Sequence, residues 1–337
     1  MNTSLIAIDL AKNVYQVCGV NRQGKEVFNR KLRRSKLAEL IAQYPGVPVA
    51  MEACSGSNYW GRQFQQRGHD VLLIPPIHVK PFVQGNKNDR NDAFAISEAA
   101  RRPRTQAVPP RSLDQTDLML AHRIRDRRVG DRTRLINQIR GLMVEYGIVV
   151  AAGPAALRSA LPRLLEDASN ELTVTARHVL HDLLEEWRDL DERIEALDRT
   201  IKTTARTLPE AQRLMQIHGV GELIATAAVA KLGQGKQFKN GRQFSACLGL
   251  VPREHSSGGV QKLGPITRRG DSYLRRLLIQ GAWSVIRYAD KREDRLSRWA
   301  REVVERRGKH KAAIAVANKL ARIIWAMVRH ERAYQAM

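Results

Sequence analysis

Leu5-Ile6-Ala7-Ile8-Asp9-Leu10, then Tyr15-Gln16-Val17-Cys18-Gly19-Val20, then Glu26-Val27-Phe28-Asn29-Arg30-Lys31, open the chain as three strand-like runs separated by turns. Asn21 to Gly24 supplies a hairpin signal between the second and third. Working outward, Leu37, Leu40, Ile41 and Tyr44 fall at helical spacing behind Ser35, a residue able to cap them. Val47 to Met51 returns to strand, Asn58 to Arg67 reads as helix with Gly68 as its stop, and Val71 to Ile74 is a buried-strand run closed by Pro75 and Pro76. Such alternation predicts an α/β domain over residues 1–110.

Composition limits what such a domain serves. The chain has 337 residues, enough for two compact domains joined by an extended element. Lysine and arginine number 57 against 34 acidic residues, a formal charge of +23, which points to a polyanionic partner. No apolar run approaches the roughly 20 residues that span a bilayer, and the N-terminus lacks a signal-peptide pattern, so no membrane partner is expected. Cys18, Cys54 and Cys247 lie far apart without CxxC pairing, against a disulfide framework or a structural zinc site. A reducing, cytoplasmic location is expected.

Beyond residue 110 the pattern turns helical. Leu113 to Tyr146 carries Arg123, Arg125, Arg127, Arg128, Arg132, Arg134 and Arg140 against few acids, so it reads as a helix contacting a nucleic-acid backbone, with a solvated charged face as the alternative. A second helix spaces Ala176, Leu180, Leu183, Trp187, Leu190, Ile194, Leu197 and Ile201 alternately by four and three, a coiled-coil seam. It can pair with the first helix or with another copy of the chain; self-association is the expectation. From Leu208 on, Ile217-His218-Gly219-Val220-Gly221 before an Ala-rich helix resembles a helix-hairpin-helix turn, in which Gly219 and Gly221 let the backbone approach a phosphate. A plain tight turn between packed helices is the alternative. Gly249 to Gly270 reads as a loop, followed by an amphipathic helix from about Asp271 and a final helix over Lys311 to Val328.

Four carboxylates stand out. Asp9 and Glu52 sit in or at the end of apolar strand runs, where a charge needs a cation or a hydrogen-bond network. Three strands, helix, strand, helix, strand is the ribonuclease-H-like order, and it would place these two acids side by side. Asp89 and Asp92 lie three apart at the start of a helix, hence on one face, although either could instead cap it. Phosphodiester chemistry needs a hard cation, and four convergent carboxylates suit Mg2+.

Ala7-Ile8-Asp9-Leu10-Ala11-Lys12, Met51-Glu52-Ala53 and Lys87-x-Asp89-x-x-Asp92-Ala93 resemble the Asp-Glu-Asp-Asp transposases of certain bacterial insertion sequences, a group that includes pilin-gene invertases. Residues 217–221 and Phe244 to Arg276, with Gly249-Leu250-Val251-Pro252-Arg253, Ser256-Ser257-Gly258-Gly259 and Leu274-Arg275-Arg276, resemble that family's second, serine-bearing domain. The resemblance implies a RuvC-like domain over 1–110, a helical coiled-coil middle over 111–207, and a mostly α serine transposase domain over 208–337. It also implies DNA partners at the element's ends and target, a structured guide RNA that base-pairs with both DNAs, and a homo-oligomer. Aligning Gly-Leu-x-Pro-Arg picks out Ser257 as nucleophile, open by one position because Ser256 adjoins it. Arg253, Lys262, Arg268 and Arg269 would then clamp phosphates around it, on a loop given reach by Gly258 and Gly259. A Holliday-junction resolvase-like nuclease would need the carboxylates but not the serine, and a noncatalytic binding scaffold would need neither.

Overall fold

The computed structural model describes residues 2–86 and 88–335. The chain divides into two compact units, Met1–Leu113 and Asp114–Met337, so the helical middle shares one unit with the C-terminal region.

In the first unit β1 (Leu5–Leu10), β2 (Val14–Val20) and β3 (Glu26–Arg33) form an antiparallel meander, while β4 (Val49–Glu52) and β5 (Val71–Ile74) run parallel to β1, giving the order β3-β2-β1-β4-β5. This order is consistent with the ribonuclease-H-like arrangement that the strand and helix order predicts. Ser35 caps nothing: it lies in a 3-10 turn ahead of α1 (Leu37–Ala42).

The two-residue period of the strands sorts their side chains. Ile6, Ile8, Val17, Met51 and Leu73 pack with Leu37 and Ile41 of α1 and with Trp60 and Phe64 of α2 (Ser57–Gln65). A hydrogen bond of 2.9 Å from Trp60 Nε1 to the Tyr15 hydroxyl satisfies the buried indole. Leu5, Ala7, Cys18, Ala50 and Ile74 point the other way. There they meet Val79 of the short α3 (Pro76–Val79) and Ala93, Ile96 and Ala99 of α4 (Asp89–Ala100). Alanines on both sides of that contact let α4 lie close to the sheet.

The second unit begins with α5 (Leu113–Val144), α6 (Pro154–Glu166) and α7 (Val174–Thr207). Arg125 pairs with Asp198, and Arg132 pairs with Asp191 at 2.8 Å, so α5 and α7 run antiparallel. Leu135, Ile136, Ile139 and Met143 of α5, Leu157 and Leu161 of α6, and Leu180, Leu184 and Trp187 of α7 form one core. This corrects the seam. Much of it is covered inside the chain, and its buried face takes Leu184 where the regular spacing put Leu183.

The remaining helices are α8 (Pro209–Met215), α9 (Glu222–Leu232), α10 (Gly241–Cys247), α11 (Ser272–Tyr288), α12 (Arg295–Arg307) and α13 (Lys309–His330). They share a core in which Val316, Ala317, Leu320, Ala321 and Ile324 of α13 are fully buried. His122 of α5 is buried among them. Its Nε2 lies 3.0 Å from Thr226 Oγ1 on α9, and its Nδ1 lies 2.9 Å from the Tyr273 hydroxyl on α11. Among the described residues no helix is long and apolar enough to cross a membrane.

Candidate active site and nucleic-acid interface

β1 and β4 pair in parallel with Ile8 opposite Met51, so the next positions, Asp9 and Glu52, follow side by side at the C-terminal ends of adjacent strands. Side-chain alternation sends both to the face covered by α4. Both are half-buried. Cys54, just past β4, registers them: burial above all, then Glu52 and Asp9, push its thiol above its ordinary range. Two carboxylates at one strand edge match the oxygen donors that a hard cation takes.

Asp89 and Asp92 occupy the first turn of α4, on the stripe that continues through Ile96 and Ala99 toward the sheet. Neither is the cap. Asn88 holds that position, accepting from the Asn91 amide at 2.8 Å. Arg90 turns to Glu26 of β3 at 2.5 Å, and Asn91 Nδ2 donates to the carbonyls of Gln84 and Asn86 at 3.1 and 2.8 Å. Asn88, Arg90 and Asn91 thus fix the end of the helix, leaving Asp89 and Asp92 outside that framework. Lys87 of the motif lies outside the described residues. Among the described residues, no group of three or more His, Cys, Asp and Glu side chains is gathered closely enough to hold a metal ion. Asp9 and Glu52 stand as a pair at the strand edge, and the α4 carboxylates share their side of the sheet without completing a set.

The Gly249–Gly270 segment, expected as loop, contains a hairpin of β6 (Pro252–Glu254) and β7 (Leu263–Ile266). Ser257 and Val260 bridge at its tip, and between them Gly258 (φ 56°) and Gly259 (φ 76°) make a tight turn of left-handed residues. These glycines close a turn; they do not lengthen a tether. The serines differ. Ser256 Oγ donates to Glu254 Oε1 at 2.7 Å and accepts from the Lys262 amide at 3.3 Å, whereas Ser257 is exposed beside the turn with no side-chain hydrogen bond to a described residue. Arg253, Lys262, Arg268 and Arg269 are all exposed around the hairpin. Its base is held by Arg275, which donates to the carbonyls of Leu248 and Arg269, each at 2.9 Å.

Between α8 and α9 the two glycines of the expected phosphate turn part company. Gly219 has φ 85°, and a Cβ on it would lie 2.5 Å from Val285 Cγ2 and 2.6 Å from the Gly281 carbonyl of α11. Its smallness serves helix packing, which is the plain-turn alternative. Gly221 immediately precedes α9, at its N-cap, with nothing near its missing Cβ. A cleft of about 460 Å³ opens there, lined by His218, Gly221, Ser284 and Arg292. His218 Nε2 is buried in it without a hydrogen-bond partner among the described residues, and burial, then Arg292, holds that imidazole below its ordinary pKa. Nothing in the sequence marked His218, since its setting depends on Arg292 from a distant turn.

The arginines of α5 also differ from expectation. Arg125 and Arg132 are tied to α7, Arg134 to Asp131, and Arg140 to the carbonyls of Val150, Ala151 and Gly153. These cations brace the helical unit, Arg127 reaches Asp131 at 3.7 Å, and the exposed Arg123 is left to face solvent.

Residues 6–148 match the family DEDD_Tnp_IS110, described as a transposase, and residues 211–297 match the transposase IS116/IS110/IS902 family. A protein of Pseudomonas aeruginosa named probable family 20 transposase is 43% identical over 336 residues, with 99% of each chain covered. The transposase for insertion sequence element IS1111A of Coxiella burnetii is 41% identical, covering 98% of this chain and 91% of that one. The transposase for insertion sequence element IS1328 of Yersinia enterocolitica is 38% identical, with 96% of each covered.

Proposed function

The chain belongs to the IS116/IS110/IS902 transposase family, and we propose from that premise that it cleaves and exchanges DNA strands through a serine-linked intermediate, guided by a structured RNA of its element. The observation that carries the chemistry is the placement of Asp9 and Glu52 side by side at the ends of β1 and β4, on the face that α4 also covers with Asp89 and Asp92. These four would hold magnesium. A magnesium ion there supplies a Lewis acid for a phosphoryl oxygen.

Ser257 is the nucleophile in this reading, supported by its exposure at the tip of the β6–β7 hairpin, while Ser256 is engaged with Glu254. Its Oγ forms a bond to phosphorus as the phosphorus–oxygen bond to the leaving strand breaks. The hydroxyl proton passes to a base, and the departing oxygen takes up a proton to become a free hydroxyl end. Reversal by a different strand's hydroxyl completes exchange. Arg253, Lys262, Arg268 and Arg269 clamp the flanking phosphates. Exchange between two duplexes breaks several strands and each chain carries one Ser257, so the working form is a dimer or tetramer. The charge of +23 leaves room for RNA beside DNA.

The test uses DNA carrying the element ends. Asp9→Ala, Glu52→Ala and Ser257→Ala each retain binding and lose strand cleavage on the order of a thousandfold, and Ser257→Ala forms no covalent adduct on a denaturing gel. Ser256→Ala keeps the adduct. Cleavage by Ser257→Ala without an adduct would instead establish a resolvase-like nuclease, and full cleavage by Asp9→Ala with Glu52→Ala would remove the carboxylates from the reaction.

A further inference from the structure

We infer that the cleft between α10 and α13 is a second phosphate-backbone site, in which Arg242, Lys319 and Arg322 engage successive phosphodiesters of a nucleic-acid strand. The inference rests on the reading of the chain as a nucleic-acid-processing transposase. It locates a contact that no residue discussed so far supplies.

The cleft has a volume of about 540 Å³ and combines these three cations with an apolar wall that includes Ile323 and Trp325. It is built rigidly. Gly241 abuts α13 so closely that a Cβ would lie 2.9 Å from the Arg322 Cα. Trp325 Nε1 donates to the Gly235 carbonyl at 3.1 Å, and Asn318 Nδ2 donates to the Leu250 carbonyl at 3.1 Å. Lys319 is steered as well: its Nζ stands 4.4 Å from the centre of the Trp299 ring, a cation–π contact that holds the ammonium in place.

No carboxylate among the described residues lines this cleft. Several other arginines of the same unit are neutralised within the chain, Arg125 by Asp198, Arg132 by Asp191 and Arg276 by Asp126. Among the described residues, Arg242, Arg295, Lys319 and Arg322 form no ion pair with any carboxylate. Burial and the neighbouring charges of Arg295 and Arg322 together lower the pKa of Lys319, a sign that like charges crowd here without an internal counterion. Cations gathered on three helices at such a cost are compensated when an anion binds. A single small anion meets one or two of them, whereas a strand presents a phosphate at each nucleotide and sugar edges to the apolar wall.

The experiment compares full-length Arg242→Gln/Lys319→Gln/Arg322→Gln with Arg188→Gln/Arg193→Gln/Arg199→Gln, which removes the same charge from the exposed face of α7. Binding to duplex DNA and to an RNA hairpin is measured by fluorescence anisotropy from about 50 to 200 mM salt. The cleft variant is expected to lower the slope of log K against log salt by about 0.9 per lost contact on duplex DNA, or about 0.7 on single strands, relative to the α7 variant. Whichever nucleic acid shows the drop is the occupant. Equal slopes for the two variants on both nucleic acids overturn the site. Should the cleft variant melt early, the wild-type protein answers instead: acetylation of Lys319, followed by mass spectrometry, is suppressed several-fold by the occupant, and unchanged acetylation overturns the proposal. A wild-type protein that binds neither nucleic acid removes the transposase mechanism along with the site. Normal binding and cleavage with equal slopes removes the site alone.

Discussion

His122 shows how a polar residue inside a helical core is kept neutral. Thr226 Oγ1 gives its proton to the Glu222 carbonyl at 2.6 Å, so it accepts from His122 Nε2–H, and Nδ1 accepts from the Tyr273 hydroxyl. Burial first, and the nearby Arg125 second, bring the imidazole down to about 4. The unfolded chain takes up a proton below about pH 6.5 while the folded one does not, so this residue's contribution is intact above that pH and is lost as pH falls toward 4. Urea unfolding at pH 7 and pH 5 measures it. The wild-type protein should lose on the order of 1–3 kcal/mol more than His122→Gln over that interval, and an equal loss would show that His122 does not titrate on unfolding. At this scale the adjacency of Asp9 and Glu52 was legible because an acid inside an apolar strand run is anomalous. Ser256 and Ser257 were not separable, because only folding brings Glu254 and the Lys262 amide to one of them.

Among the elements, strands of the first unit were readable nearly to the residue, since alternation of side chains is fixed by the backbone itself. Helix α7 was readable as a helix but not in its partners. A run of leucines at three-four spacing buries equally well against its own chain or a copy, and within the chain the Arg125–Asp198 and Arg132–Asp191 pairs align it with side chains of α5 and α6. Leu184→Ala should therefore destabilise the protein by about 2–5 kcal/mol without changing its sedimentation, because it opens a cavity in an intrachain core. Val179→Ala, at an exposed position, should be close to neutral. If Leu184→Ala instead shrank the assembly and left thermal stability unchanged, the seam would join copies.

The whole molecule comprises two units with their own cores, one layered about the sheet and the other wholly helical apart from the hairpin. Residues 1–113 expressed alone are expected to unfold in one cooperative transition, with Mg2+ raising the midpoint. Saturating ion at about a hundred times its dissociation constant stabilises by about 2.7 kcal/mol. Asp9→Ala and Glu52→Ala fragments should show no such rise, and a wild-type fragment indifferent to Mg2+ would disprove the metal reading of that pair.

By itself the sequence determined the order of strands and helices, the sheet they make, the adjacency of Asp9 and Glu52, and the excess positive charge of the whole. Each follows from a short-range rule: side-chain period, turn residues, or summed charge. Only tertiary structure decided that Gly219 packs a helix, that Ser256 is engaged, that Arg125 and Arg132 of α5 are neutralised, and that Arg242, Lys319 and Arg322 are not. Those outcomes depend on which distant residue arrives beside each group, and long-range proximity leaves no mark in local spacing.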